Sequence, residues 1–115
     1  MRKVMLLTFV FLFLVSSAVM AHPPQSMNVN FDMETQVLNV EITHSVGGEN
    51  SSHFIDNIVV TYNGSEVITQ IPSKQLKNKE VFMYYMPGVV SGDEINVTAY
   101  CSIQGQRSFS LTIGE

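Results

Sequence analysis

The sequence predicts an all-β sandwich, and three observations carry that expectation. From residue 28 onward apolar and polar residues alternate with period two, the pattern of strands with one face buried. Turn-forming pairs such as Asn63-Gly64, Pro87-Gly88 and Gly92-Asp93 interrupt the alternation at short intervals. The same region nowhere shows the i, i+3, i+4 apolar spacing of an amphipathic helix.

Residues 1–21 stand outside this pattern. Arg2 and Lys3 precede the apolar run Val4–Val15, in which Thr8 is the one polar member, and Ser16–Ala21 supplies small residues. A basic start, a short apolar run and a small-residue end predict a secretory signal peptide cut after Ala21. The run is shorter than the roughly 20 residues a membrane-spanning helix needs. Residues 22–115 then form one domain of 94 residues, exported to the periplasm, the cell surface or the medium, with no stable membrane span. A retained N-terminal anchor is the alternative.

The first strand is expected around Asn28–Phe31, and Met33-Glu34-Thr35 turns the chain into Gln36–His44. In that second strand Leu38, Val40, Ile42 and His44 share one face, while Asn39, Glu41 and Thr43 share the other. A polar loop, Ser45–Ser52 with Gly47-Gly48, leads to a third run, His53–Tyr62. Asn63-Gly64 is the strongest two-residue hairpin signal and predicts that Ser65–Ile71 pairs back. Lys74–Lys79 is a charged link. Val81–Met86 follows, with Phe82, Tyr84 and Met86 on one face. Glu94–Cys101 places Ile95, Val97, Ala99 and Cys101 together, and Gly105 turns into Arg107–Ile113. Seven short antiparallel strands fit an immunoglobulin-like β-sandwich.

Composition excludes several function classes. The mature chain sets Lys74, Lys77, Lys79 and Arg107 against all ten carboxylates, a formal charge of −6 with the histidines neutral. Such a chain lacks the basic footprint of a nucleic-acid binder. No Gly-x-Gly-x-x-Gly, no P-loop and no Gly-x-Ser-x-Gly element occurs, which removes dinucleotide enzymes, P-loop enzymes and serine hydrolases of that kind. Asn50-Ser-Ser52, Asn63-Gly-Ser65 and Asn96-Val-Thr98 match the short glycosylation pattern.

What remains is a small set of soft ligands: His22, His44, His53 and the single cysteine, Cys101. Exported proteins usually pair their cysteines, so an unpaired one is buried, bound to another molecule or bound to a metal. Imidazole and thiolate are ligands of iron, zinc and copper. His44, His53 and Cys101 all fall at expected strand ends, where a sandwich gathers its loops. Met83 and Met86, on opposite faces of their strand, are the remaining sulfur donors for a copper site, although core packing is the stronger explanation of both.

The order His44-Ser-Val, His53-Phe-Ile-Asp-Asn-Ile, Asn63-Gly64 and Ala99-Tyr100-Cys101-Ser-Ile-Gln-Gly105 resembles the iron domain of superoxide reductases, the desulfoferrodoxin and neelaredoxin family. The resemblance runs over roughly His22 to Ile113. It implies a seven-stranded immunoglobulin-like sandwich and a mononuclear non-haem Fe(II)/Fe(III) centre with equatorial histidines and an axial thiolate. His44 and His53 match two equatorial ligands, Cys101 the thiolate, and His22 the family's first histidine. The chain departs from the pattern at Gln104, where the family has a fourth histidine. The Glu-Lys pair expected before the first histidine is absent as well. Gln104 then stands as a fifth ligand through its amide oxygen, or as a residue beside the ligands. The implied activity is one-electron reduction of superoxide to peroxide, with a separate electron donor. Two other readings fit the residues. One is a copper carrier or sensor that uses a mature N-terminal His22; the other is a structural sandwich without metal.

Overall fold

The computed structural model describes residues 22–46, 53–75 and 77–114. The expected leader, the Gly47-Gly48 loop and the Asn50 acceptor lie outside them. Seven strands form in chain order: β1 (Ser26–Asp32), β2 (Val37–Thr43), β3 (Ile55–Tyr62), β4 (Ser65–Gln70), β5 (Lys79–Tyr85), β6 (Glu94–Cys101) and β7 (Gln106–Thr112). They make two antiparallel sheets, β1-β2-β5 and β4-β3-β6-β7, as an all-β sandwich requires. No helix among the described residues is long and apolar enough to cross a membrane.

Local chemistry explains the turns. Asp32 Oδ1 accepts hydrogen bonds from Glu34 N–H at 2.9 Å and Thr35 N–H at 3.2 Å, closing the β1–β2 connection. Asn63 and Gly64 both have positive φ, 48° and 87°, the geometry a two-residue hairpin needs to match strand twist.

The inward residues of the two sheets meet in one core. Leu38, Val40 and Ile42 of β2 face Ile55, Ile58 and Val60 of β3 and Ile95, Val97 and Ala99 of β6, all essentially inaccessible to water. These are the alternating positions of the sequence pattern, so the period-two signal reads directly as burial. The third strand begins at Ile55, two residues later than the expected His53. Its pairing with β6 shifts register between Ile55 and Asn57, and Phe54 bonds Ser102 through both backbone and side chain. Phe54 is thus held by Ser102 just beyond the last ladder pair, Ile55–Cys101, and His53 precedes the strand.

The pairing assigns loops to ends of the sandwich. One pole holds the start of β1, the end of β2, the start of β3, the end of β4, the start of β5 and the β6–β7 turn. The other pole holds Gln36, the β3–β4 hairpin and Gly88–Asp93. There Gln36 Oε1 accepts from Gly88 N–H and Val89 N–H, and the Tyr62 hydroxyl donates to Asp93.

Candidate metal centre

Sheet order settles which residues can meet. His22 precedes β1, His44 follows β2 and His53 precedes β3, so all three lie at the same pole. Their rings approach edge to face around a common centre. The centroids are 5.0 Å apart for His22–His44, 5.1 Å for His22–His53 and 5.0 Å for His44–His53, with interplanar angles of 67°, 80° and 90°. One ring nitrogen from each lies within 4.8 Å of the others. Three nitrogens at ~2.0–2.1 Å from a single ion close such a triangle with small side-chain movements. The residues therefore fit a metal ion.

Each histidine is held by a different part of the fold. The His22 arm is seated by four contacts. Arg107 Nε donates to the Pro24 carbonyl at 2.7 Å, Gln25 N–H donates to the Thr43 carbonyl at 2.8 Å, and Ser45 N–H donates to Gln25 Oε1 at 3.0 Å. Pro23 rests on Gly105, where an added Cβ would stand 2.7 Å from the Pro23 Cβ. The His22 ring turns its Nδ1 to the Pro23 carbonyl at 3.0 Å, which leaves Nε2 as the nitrogen able to face an ion.

His44 is fully buried. Its backbone N–H donates to the Asn78 carbonyl at 2.7 Å, its ring Nδ1 contacts Gln75 Oε1 at 3.0 Å, and its Nε2 faces the His22 carbonyl at 3.0 Å. His53 is half-buried, and its Nε2 is an inaccessible atom. Burial pushes the His53 pKa below the ordinary imidazole value, and the neighbouring His44 and His22 push it further; a backbone hydrogen bond with Ser45 partly offsets them. A depressed pKa keeps the ring neutral, the form that binds metal.

Cys101 is at the same pole but outside the cluster of mutually close donors. It is a buried free thiol paired across the ladder with Ile55, and its backbone N–H donates to the Gly105 carbonyl at 3.0 Å. Its inward face was legible from alternation, and the side chain is buried. Gln104 is exposed in the β6–β7 turn. Met83 is exposed on the outer face of β5, and Met86 lies at the opposite pole, where its N–H donates to the Gln36 carbonyl. Lys79 pairs with Glu41 at 2.9 Å, while Lys74 and Lys77 are exposed in the segment that carries Gln75.

Gln75 is the residue sequence reasoning passed over. It sits in the charged link yet is 2% exposed. No periodic signal marks a glutamine that turns inward from a lysine-rich loop. No protein-family model and no curated protein matches this sequence.

Proposed function

We propose that this chain is an exported mononuclear metal-binding protein that holds its ion through His22, His44 and His53, with Cys101 joining them as a thiolate ligand in the iron form. The observation that supports this reading most is the convergence of three imidazoles from three separate segments at one pole. Packing alone does not call for that grouping, since burial and the neighbouring rings work against a charge on His53. Within it, the resemblance to superoxide reductases favours iron. Iron would supply the single electron that converts superoxide to peroxide, and an external donor would restore it. Cys101 supports the iron reading by position. It is buried opposite Ile55, the first residue of β3, and His53 stands two residues before that pair.

A second reading, a copper carrier or sensor without turnover, draws on the cluster's composition, which holds imidazoles and no thiolate. The experiment is metal analysis and absorption spectroscopy of the exported chain beside its Cys101→Ser variant. Bound iron with a ferric–thiolate charge-transfer band, lost in the variant, is the expected result. Stoichiometric copper that survives Cys101→Ser and needs His22 refutes iron in favour of the carrier. Failure to bind any metal refutes both.

A further inference from the structure

We infer that Gln75 is a positioning residue that fixes the tautomer of His44, so that Nε2 and not Nδ1 is the nitrogen offered to the metal. This rests on the metal-binding reading above and adds a specific role for the segment between β4 and β5. The argument starts from the amide. Gln75 Nε2 donates to the His44 carbonyl at 2.7 Å and also to the Lys77 carbonyl. Gln75 Oε1 accepts from the Ile55 N–H at 3.2 Å. Turning the amide over would set its oxygen against two carbonyls and its NH2 against an N–H, so the three partners determine which end is oxygen.

That oxygen lies 3.0 Å from His44 Nδ1. An amide oxygen only accepts, so this contact is a hydrogen bond when Nδ1 carries the proton and donates. The His22 carbonyl oxygen, 3.0 Å from Nε2, is likewise only an acceptor, so the two oxygens compete for the single proton of a neutral ring; Gln75 is the fixed competitor, buried and held by three further bonds, whereas the His22 carbonyl lies on the arm before β1. With the proton on Nδ1, Nε2 and the His22 carbonyl face each other as two acceptors, and a cation bound by Nε2 relieves that contact. A ligating histidine is commonly oriented in this way by an acceptor on its other ring nitrogen, and loss of such a partner typically weakens metal binding 10- to 100-fold. Gln75 also joins the elements. Its four bonds tie the end of β2, the start of β3 and the Lys77 turn to one amide.

The test combines 15N spectroscopy of the His44 ring with cobalt(II) titration of the exported chain, using wild type, Gln75→Glu and Gln75→Leu. Metal-free wild type should show the Nδ1–H form. Gln75→Glu keeps the Nδ1 acceptor and should keep that form; its second oxygen meets the His44 and Lys77 carbonyls in place of the amide NH2, so this variant is read by its ring spectrum and not by its cobalt affinity. Gln75→Leu should shift the proton to Nε2, which can then donate to the His22 carbonyl, and weaken cobalt binding roughly 10- to 100-fold. A wild-type ring protonated on Nε2 alone, or on both nitrogens, overturns the inference and needs no folded variant to do so. An Nδ1–H wild type with equal cobalt affinity in Gln75→Leu overturns the positioning role while the metal site stands. A wild type that binds no cobalt overturns the metal reading itself, and the ring spectrum then reports the tautomer independently.

Discussion

Replacing Gly105 by alanine strains the seat of the His22 arm, and the structure allows its cost to be separated into two parts. Gly105 has φ of +87°, so any L-residue there pays for the left-handed conformation, about 1–2 kcal/mol. The added Cβ would also stand 2.7 Å from the Pro23 Cβ and 3.0 Å from the Pro23 Cα and Cδ. Two of those three atoms belong to a rigid ring and the third to the backbone, so relief requires the arm to move. Overpacking of this kind costs roughly 1–3 kcal/mol. Gly88 provides the control, because its φ is +90° and nothing lies within 4 Å of its virtual Cβ. Gly88→Ala should therefore carry the conformational part alone. The expected difference between the variants is about 1–3 kcal/mol, which in a domain of this size is several degrees or more in Tm. Thermal melts of the metal-free chains measure it. A metal titration should show weaker binding in Gly105→Ala, because Pro23 adjoins His22. Equal melting of the two variants would refute the packing of the arm on Gly105, and with it the account of how His22 is placed.

Three further outcomes follow from the same contacts. Truncating Ile58, fully buried between the sheets, to alanine should destabilise the fold by about 2–5 kcal/mol in a denaturant titration, and a loss below 1 kcal/mol would contradict the core described. Tyr84, pushed up to about 12 chiefly by burial, should ionise later than an exposed tyrosine when tyrosinate absorbance is followed; its contribution to stability is full below pH 10 and lost as pH rises toward 12. Asp93 is held below the usual carboxylate range, first by the Tyr62 hydroxyl and then by Val90 N–H and the Asn63 amide. Its stabilisation is present above the unfolded value of 3.8 and disappears as pH falls through the folded one, so Asp93→Asn should flatten the acid limb of a stability–pH profile.

Much of the architecture was legible because burial in a sandwich follows parity. The alternation from Glu94 to Cys101 matches β6 end to end, and Leu38, Val40, Ile42 and His44 are buried as their spacing indicates. The meeting of the histidines was not legible in the same way. Parity shows that His44 faces inward, but only the sheet order, with β2 and β3 in different sheets, brings His44 and His53 to one pole with His22. The start of β3 was misplaced because Phe54 satisfies its backbone through Ser102, a partner no local pattern reveals. Cys101 shows the opposite case. Its inward face was correct, yet facing the core and joining a cluster of donors are different things, and in the structure it does the first. Gln75 left no trace at all, since its burial depends on four bonds to three residues, His44, Ile55 and Lys77.

The measurement that bears most directly on the central claim is metal content together with melting temperature for residues 22–115, beside His44→Ala and His53→Ala. The account predicts one metal ion per wild-type chain. It also predicts a rise in Tm on loading that corresponds to about 2.7 kcal/mol at a hundredfold excess over Kd. Both effects should vanish in either variant. A wild-type chain that stays metal-free, with a Tm indifferent to iron, copper, zinc and cobalt, would contradict it.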